Sequence, residues 1–245
     1  MTPLASAPAV PAPHAADLAT GWTQRAAASF ATALARTTCS LDVRGLAHLP
    51  AGEPFLLCAN HTSHADTFAL VCATGAHRHR LVFLAARDYF SRFHVRSWLL
   101  RRLICLIPFE RGTGMAAAKH NLSLLGASRL AGRIIVLFPE GTRSPDGLLR
   151  DFKPGVAMFA DKLSLRVVPC YIDGAHAIVA KGKTIPRPHA LRVTFGAPLS
   201  LPPATDLHET GPARSSRYQA FAAQLHARVA ALATAPTAAP APVYS

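Results

Sequence analysis

The segment best suited to chemistry is 60–66, NHTSHAD, which lies between an apolar strand candidate and a helix candidate. Its turn could fold the imidazole of His61 back towards the carboxylate of Asp66. A carboxylate on one ring nitrogen fixes the tautomer and stabilises the imidazolium, and the other nitrogen is then free to take a proton. The spacing therefore indicates a general base that deprotonates a hydroxyl or a water.

The same segment has two other interpretations. Ser63 could cap the helix, with Asp66 at its third position completing a capping box, and for Asp66 alone this is the better supported role. A metal site formed by His61, His64 and Asp66 is less favoured. The spacing is not the H-x-H-x-D of metallo-hydrolases, and no later cluster in the sequence completes a coordination shell.

A second segment with chemical potential is 138–144, FPEGTRS, directly after the β-branched run RIIVLF. Pro139 and Gly141 enforce a turn, and Gly141 lets the backbone approach a ligand closely. Arg143 offers a planar fork that matches phosphate or carboxylate, while Glu140 can accept a hydrogen bond from a hydroxyl. The plainer alternative is an exposed turn with a surface ion pair.

Two shorter segments complete the set. PFERGTG at 108–114 places Arg111 in a glycine-containing loop after an apolar run, and alone it would be an ordinary surface arginine. VPC at 168–170 is predicted to end a strand close to the site.

Alternating strand-like and helix-like segments must position these residues. Strands are predicted at 55–59, 80–84, 133–138, 165–172 and 191–195, and helices at 88–103, 115–130, 215–232 and from the NHTSHAD turn to about 74. Continuous apolar strands separated by helices indicate an α/β fold whose sheet is covered on both faces. We therefore predict a single α/β domain with a central mixed sheet flanked by helices.

The two ends of the chain differ from this domain, which is predicted to cover 39–232. Residues 1–14 and 233–245 are rich in alanine and proline and are predicted to be disordered tails. Between 15 and 38 large apolar residues recur at a four-residue interval, which predicts an amphipathic helix. That helix either packs on the domain or lies at a membrane interface.

The charge balance restricts the partners. The chain has 26 Lys and Arg against 13 Asp and Glu, a formal net charge of +13, which favours nucleic acid or an anionic membrane. Eight arginines between 77 and 111 are interleaved with aromatic and leucine side chains, as suits a lipid headgroup boundary. Because no nucleic-acid motif is present, we expect an anionic membrane surface as partner and no nucleic acid.

Two further features concern location. No apolar run approaches the roughly 20 residues that a spanning helix needs. The five cysteines are scattered without a CxxC pair, which is typical of buried thiols in a reducing compartment. We therefore expect a peripheral protein on the cytoplasmic face of a membrane.

In their order and intervals, NHTSHAD, ERG, FPEGTRS and VPC resemble the four motif blocks of the glycerolipid acyltransferases. The similarity is closest to the 1-acylglycerol-3-phosphate (lysophosphatidic acid) acyltransferase family. It covers about 54–198, and the segments DGLLRDFKPG and LRVTFGAPL fit the continuation of that family. The one departure is Cys170, at a position where a small aliphatic residue is more common.

The resemblance implies a reaction and a role for each residue. His61 is the general base for an acceptor hydroxyl, Asp66 orients it, and the acceptor oxygen attacks an acyl thioester of coenzyme A or acyl carrier protein. A backbone N–H near the start of the helix could stabilise the oxyanion. No metal or organic cofactor is implied. The residues implied to bind the acceptor are Arg111, Glu140, Gly141, Thr142, Arg143 and Lys153.

The expected product is phosphatidic acid, formed from lysophosphatidic acid in phospholipid biosynthesis. Arg111 and Arg143 favour a phosphate-bearing acceptor, but another lysophospholipid or a lyso-aminolipid stays open as the acceptor. A thioester or lipid hydrolase would use the same base on water. A non-catalytic module that binds anionic lipid or nucleic acid is the alternative from a different class, and the intact His61 and Asp66 argue against it.

Overall fold

The computed structural model describes residues 40–86, 105–110, 115–179, 187–204, 206 and 208–234. Several predictions made from the sequence lie outside these residues. They are the tail at 1–14, the amphipathic helix at 15–38, the helix at 88–103, the position of Arg111 and the C-terminal tail from 235 onward.

Seven strands of the described residues form one sheet in the order β1-β7-β6-β2-β5-β3-β4. They are β1 (Leu41–Arg44), β2 (Phe55–Ala59), β3 (Leu81–Ala86), β4 (Cys105–Phe109), β5 (Ile134–Leu137), β6 (Val167–Asp173) and β7 (Leu191–Phe195). Strands β6, β2, β5, β3 and β4 run parallel, whereas β7 is antiparallel to β6 and parallel to β1. The predicted mixed sheet is confirmed.

Helices connect these strands in the described part of the chain. They are α1 (Ala65–Ala73), α2 (Met115–Leu130), α3 (Gly155–Leu163), α4 (Ala175–Ile178) and α5 (Gly211–Ala233), with 3-10 turns at Leu46–His48 and Gly75–Arg80. Among the helices that the structure describes, none combines the length and apolar character needed to cross a membrane.

The central strand β2 shows why the sheet is buried on both faces. All five residues of its FLLCA sequence are buried. Phe55 and Leu57 pack in one apolar cluster with α1 and α4, while Leu56 and Cys58 pack in a second cluster with α3 and α5. Because successive strand residues point to opposite faces, a continuous apolar strand requires a covered sheet. That prediction is confirmed.

Some elements differ from the sequence prediction. β1, β4 and α3 were not predicted. β4 was missed because Pro108 lies inside the strand. β4 pairs only with β3 among the described strands, and an edge strand tolerates proline because its free side needs no N–H. The prediction that VPC ends a strand was wrong: β6 continues through Cys170 to Asp173. Its pairing with β7 begins at Cys170, directly after Pro169.

The parallel arrangement determines where a site can form. The carboxyl ends of β5, β2 and β6 are adjacent along the boundary of the sheet formed by the strand ends, the carboxyl edge. The segments that follow these strands are 138–144, 60–66 and 174–179, so the topology brings them together. In open α/β sheets, ligands bind outside the carboxyl ends of the strands.

Candidate active site

A histidine–carboxylate pair lies at the carboxyl end of β2. The Nδ1 atom of His61 is 2.8 Å from Oδ2 of Asp66. The Asp66 side chain is fully buried, whereas 19% of the His61 side chain is exposed to solvent. No described residue hydrogen-bonds the other ring nitrogen, Nε2. The geometry therefore fixes the ring through Nδ1 and leaves Nε2 to meet a proton donor.

Asp66 is also part of the start of α1. Its Oδ2 accepts hydrogen bonds from the backbone N–H groups of Thr62 at 2.7 Å and Ser63 at 2.8 Å. The Ser63 hydroxyl oxygen accepts in return from the N–H of Ala65 at 3.0 Å. This is a shortened form of the predicted capping box, because Ser63 bonds the amide two residues on rather than three. One carboxylate thus caps the helix and holds the histidine.

The 138–144 segment holds His61 from the other side. Oε1 of Glu140 accepts the backbone N–H of His61 at 2.8 Å, and the N–H of Ser144 donates to the His61 carbonyl at 2.8 Å. The ring of Phe138 stacks on the imidazole, with centroids 4.0 Å apart and planes 15° from parallel. Two sequence segments 78 residues apart therefore form one unit, with His61 fixed at its backbone and its ring.

Asn60 joins strand β6 to this unit. Its side-chain amide donates to the carbonyl of Ile172 at 2.9 Å and accepts the N–H of Ile172 at 2.7 Å. The Ser63 hydroxyl donates to the carbonyl of Val179 at 2.6 Å. Sequence reasoning missed Asn60 as the link to Ile172 of β6 and Phe138 as the ring that stacks on His61. Their position between a buried strand and a reactive turn was the available signal.

Glu140 faces inward rather than towards an open cleft. The residue is 4% exposed, and its Oε2 atom is buried without a hydrogen-bond partner among the described residues. Burial raises the pKa of Glu140 from 4.5 to about 7, and the negative charge of Asp66 adds to the rise. The hydrogen bond from the His61 N–H and the nearby Arg150 oppose it. Glu140 is thus a buried carboxyl group with a raised pKa, and it bonds the backbone of the general-base candidate.

This shift predicts a specific pH dependence of stability for Glu140→Gln. Because the folded protein holds this proton more tightly, the stabilisation is complete below pH 4.5 and is lost as the pH rises through about 7. Glutamine removes the titration while it keeps an oxygen for the His61 N–H. Relative to wild type, the free energy of unfolding of the variant should rise by about 1–2 kcal/mol between about pH 5 and pH 8. Urea titrations of both proteins measure it, and an unchanged difference contradicts it.

The acceptor-binding candidates Gly141, Thr142, Arg143 and Lys153 lie on or beside the same loop. Gly141 has a φ of +76°, and the Lys153 side chain crosses it so closely that a Cβ there would lie 2.7 Å from Nζ. Thr142 is exposed, and Arg143 is half-buried. Burial first, then the positive charges of Arg143 and His61, lower the pKa of His64. Arg143 therefore lies within electrostatic reach of the 60–66 turn.

The surroundings of the pair add two observations. Within the described parts of the chain, no group of three or more His, Cys, Asp or Glu residues is arranged to hold a metal ion. The backbone N–H groups expected to face an oxyanion are largely engaged elsewhere. Those of Thr62 and Ser63 donate to Asp66, that of His61 to Glu140, and that of Asp66 to the Ser63 carbonyl.

Comparisons with known proteins bear on this arrangement. The chloroplastic 1-acyl-sn-glycerol-3-phosphate acyltransferase BAT2 of Brassica napus is 28% identical over 145 residues, which cover 58% of this chain and 39% of that protein. The 1-acyl-sn-glycerol-3-phosphate acyltransferase of Limnanthes alba is 38% identical over 167 residues, covering 65% and 54%. The lyso-ornithine lipid O-acyltransferase of Rhizobium meliloti is 35% identical over 117 residues, covering 46% and 36%. The chain spans about half or less of the length of these relatives.

The fold and the family are shown by two further comparisons. The crystal structure of the 1-acyl-sn-glycerophosphate (LPA) acyltransferase PlsC from Thermotoga maritima matches with a TM-score of 0.62 at 20% identity, covering 86% of this chain and 81% of that one. At this identity the match establishes the α/β fold. The family model described as Acyltransferase matches residues 40–173. Because this match spans more than half of the chain and contains the His61–Asp66 pair and the 138–144 loop, the chain belongs to the acyltransferase family.

Proposed function

We propose that this protein transfers a fatty acyl group from an acyl thioester to the free hydroxyl of lysophosphatidic acid, forming phosphatidic acid and a free thiol. The observation that carries the proposal is the 2.8 Å contact between His61 and Asp66 at the carboxyl edge of the sheet. Two of the relatives described above bear the name of this activity.

In this mechanism His61 is the catalytic residue. Its Nε2 takes the proton of the acceptor hydroxyl while the hydroxyl oxygen attacks the thioester carbonyl. Asp66 holds Nδ1–H and stabilises the imidazolium that forms. When the tetrahedral intermediate collapses, the carbon–sulfur bond breaks and the proton on His61 passes to the leaving thiolate. Ester and thiol are the products, and His61 returns to its neutral form.

The acceptor phosphate is assigned to Arg143 and to Arg111, which lies outside the described residues. A guanidinium presents paired donors that match a phosphate. Gly141 and Thr142 are placed at the glycerol part of the acceptor, with Lys153 across Gly141 as a further cation. Glu140 keeps its predicted place beside the acceptor, and its bond to the His61 backbone gives it a second role in holding the base.

A second acceptor class is supported by a specific comparison. The relative from Rhizobium meliloti is named a lyso-ornithine lipid O-acyltransferase. A lyso-ornithine lipid offers a hydroxyl for the same base but has no phosphate for Arg143. The two acceptors are therefore distinguished by the dependence of the reaction on that arginine.

We further propose that the enzyme acts as a peripheral protein on the cytoplasmic face of an anionic membrane. The formal charge of +13 supports attraction to such a surface. The donor is a thioester of coenzyme A or of acyl carrier protein, and each is supplied separately in the assay below.

The test is a mass-spectrometric assay of the purified chain with anionic vesicles and one donor and one acceptor at a time. We expect phosphatidic acid from lysophosphatidic acid with at least one of the two donors. Product from lyso-ornithine lipid alone would replace the favoured acceptor. Free fatty acid released equally with and without acceptor would identify a hydrolase, and no turnover with intact vesicle binding would favour the binding module.

Arg143→Gln provides the matching prediction for the acceptor. Loss of a charge-assisted phosphate contact should raise the KM for lysophosphatidic acid by about 10- to 100-fold and change kcat less. Steady-state kinetics with a short-chain lysophosphatidic acid, kept monomeric in solution, measure both constants. Arg228→Gln, an exposed arginine on α5, is the control with the same change of charge. An equal KM effect in both variants would remove Arg143 from the phosphate site.

A further inference from the structure

We propose that the edge of the sheet that carries His61 contacts the bilayer directly, through the exposed side chains of Leu148 and Phe68. The proposal deepens the proposed function and rests on it, because only an enzyme whose acceptor lies in a membrane needs its site at that surface. It assigns the membrane contact to described residues outside the basic region at 77–111.

Exposed apolar side chains are unevenly placed in the described part of the chain. The large hydrophobic side chains exposed there are Phe68 at 38%, Leu130 at 82% and Leu148 at 64%. Phe68 lies on α1, two residues after Asp66, and Leu148 lies in the loop that continues the FPEGTRS segment. Leu130 ends α2, just before the amino end of β5, and so lies at the opposite edge of the sheet.

The 144–150 loop presents Leu148 in a fixed conformation. Oδ1 of Asp146 accepts from the Ser144 hydroxyl at 2.7 Å and from the Leu148 N–H at 3.2 Å, while Oδ2 accepts from Arg150 at 2.6 Å. The turn passes through Gly147 with a φ of +80°. Ordering an exposed leucine in this way lowers the entropy lost when it enters an apolar phase.

The loop crosses the edge of the sheet beside the candidate catalytic residue. It begins where the Ser144 N–H bonds the His61 carbonyl. At Gly147 it passes so close to His176 of α4 that a Cβ there would lie 3.1 Å from the ring. Leu149 then packs in the cluster on the other face of the sheet. Helix α4 also contacts α1, which carries Phe68, so both exposed side chains belong to the layer around this edge.

The chemistry of the surroundings fits a lipid surface. Arg143, Arg150 and Lys153 lie within five residues of Leu148, against Asp146, which pairs with Arg150, and Asp151, so the segment 143–153 carries one net positive charge. Cations beside an exposed apolar side chain suit the boundary between phosphate headgroups and acyl chains. The net charge of +13 draws the whole protein towards an anionic membrane at longer range.

The test is flotation of the full chain with phosphatidylcholine vesicles that contain phosphatidylglycerol and no lysolipid. We expect Leu148→Ser to lower the partition coefficient by about tenfold, since a leucine side chain leaves the apolar phase. Phe68→Ser should act in the same direction. Leu130→Ser is the matched control and should bind like wild type although its side chain is more exposed.

Two results would overturn the proposal: wild-type binding by Leu148→Ser, or an equal loss in Leu148→Ser and Leu130→Ser. Thermal unfolding of each variant identifies losses caused by misfolding, and Phe68→Ser tests the surface independently if Leu148→Ser is unstable. Because the vesicles contain no substrate, the result does not depend on acyl transfer. Selective loss of flotation in a protein without turnover would keep this surface while it removes the proposed reaction.

Discussion

Replacing His61 by alanine should lower kcat for acyl transfer by about a thousandfold or more, because the proposed mechanism then lacks its general base. The imidazole is fixed by four contacts, which are the Asp66 carboxylate, the Phe138 ring, and the Glu140 and Ser144 bonds to its backbone. Both backbone bonds use main-chain atoms that alanine also has. The fold should therefore survive the substitution.

Steady-state kinetics with lysophosphatidic acid, together with thermal unfolding, test this expectation. The loss should fall on kcat, with the KM of the acceptor changed by less than about tenfold. His208→Ala, in an exposed loop before α5, is the control for removal of an imidazole and should retain wild-type turnover. Substantial turnover by a folded His61→Ala protein would assign the base to another residue.

Asp66→Asn should lower kcat by about a hundredfold or more while the structure is largely kept. An asparagine whose carbonyl takes the place of Oδ2 still accepts from His61, Thr62 and Ser63. Its amide then faces the Thr62 hydroxyl, which lies 3.5 Å from Oδ1 in the native protein. The substitution thus removes the negative charge that stabilises the imidazolium and preserves the helix cap.

Asp66→Ala separates the two roles of this residue. It leaves buried amides of Thr62 and Ser63 without an acceptor, so we expect a loss of about 2–4 kcal/mol in the free energy of unfolding. Denaturant titration of the alanine and asparagine variants measures the difference, with the exposed Asp206→Asn as the control. Wild-type kcat in Asp66→Asn, with instability only in Asp66→Ala, would reduce Asp66 to a helix cap.

Much of the architecture was predictable from local pattern. The limits of β2 and β7 were predicted to the residue, because short apolar runs bounded by proline or turn residues define buried strands. Helix α3 was missed although its buried side chains recur at helical spacing, because it has only nine residues and follows directly on Pro154. β1 was missed for a similar reason, since only four residues form the strand.

The candidate site was predictable only in part. The HxxxxD spacing indicated that His61 and Asp66 could meet, because five residues across one turn keep them within reach. Glu140 was expected to accept from a substrate hydroxyl, and its family-based role as an acceptor contact stays a prediction. Its Oε1 atom accepts from the backbone of His61. No local pattern carries that information, because the partner lies 79 residues away along the chain.

By itself the sequence determined the α/β class, the reactive segments and the excess of positive charge, because these depend on composition, hydrophobic period and short-range spacing. The tertiary structure decided the strand order, and with it the adjacency of β6, β2 and β5. That adjacency sets Phe138 against the His61 ring and pairs Asn60 with Ile172. It also places Leu148 at the site edge and Leu130 at the opposite one. These relations depend on which strands pair, and pairing is determined by packing of the whole core rather than by any single segment.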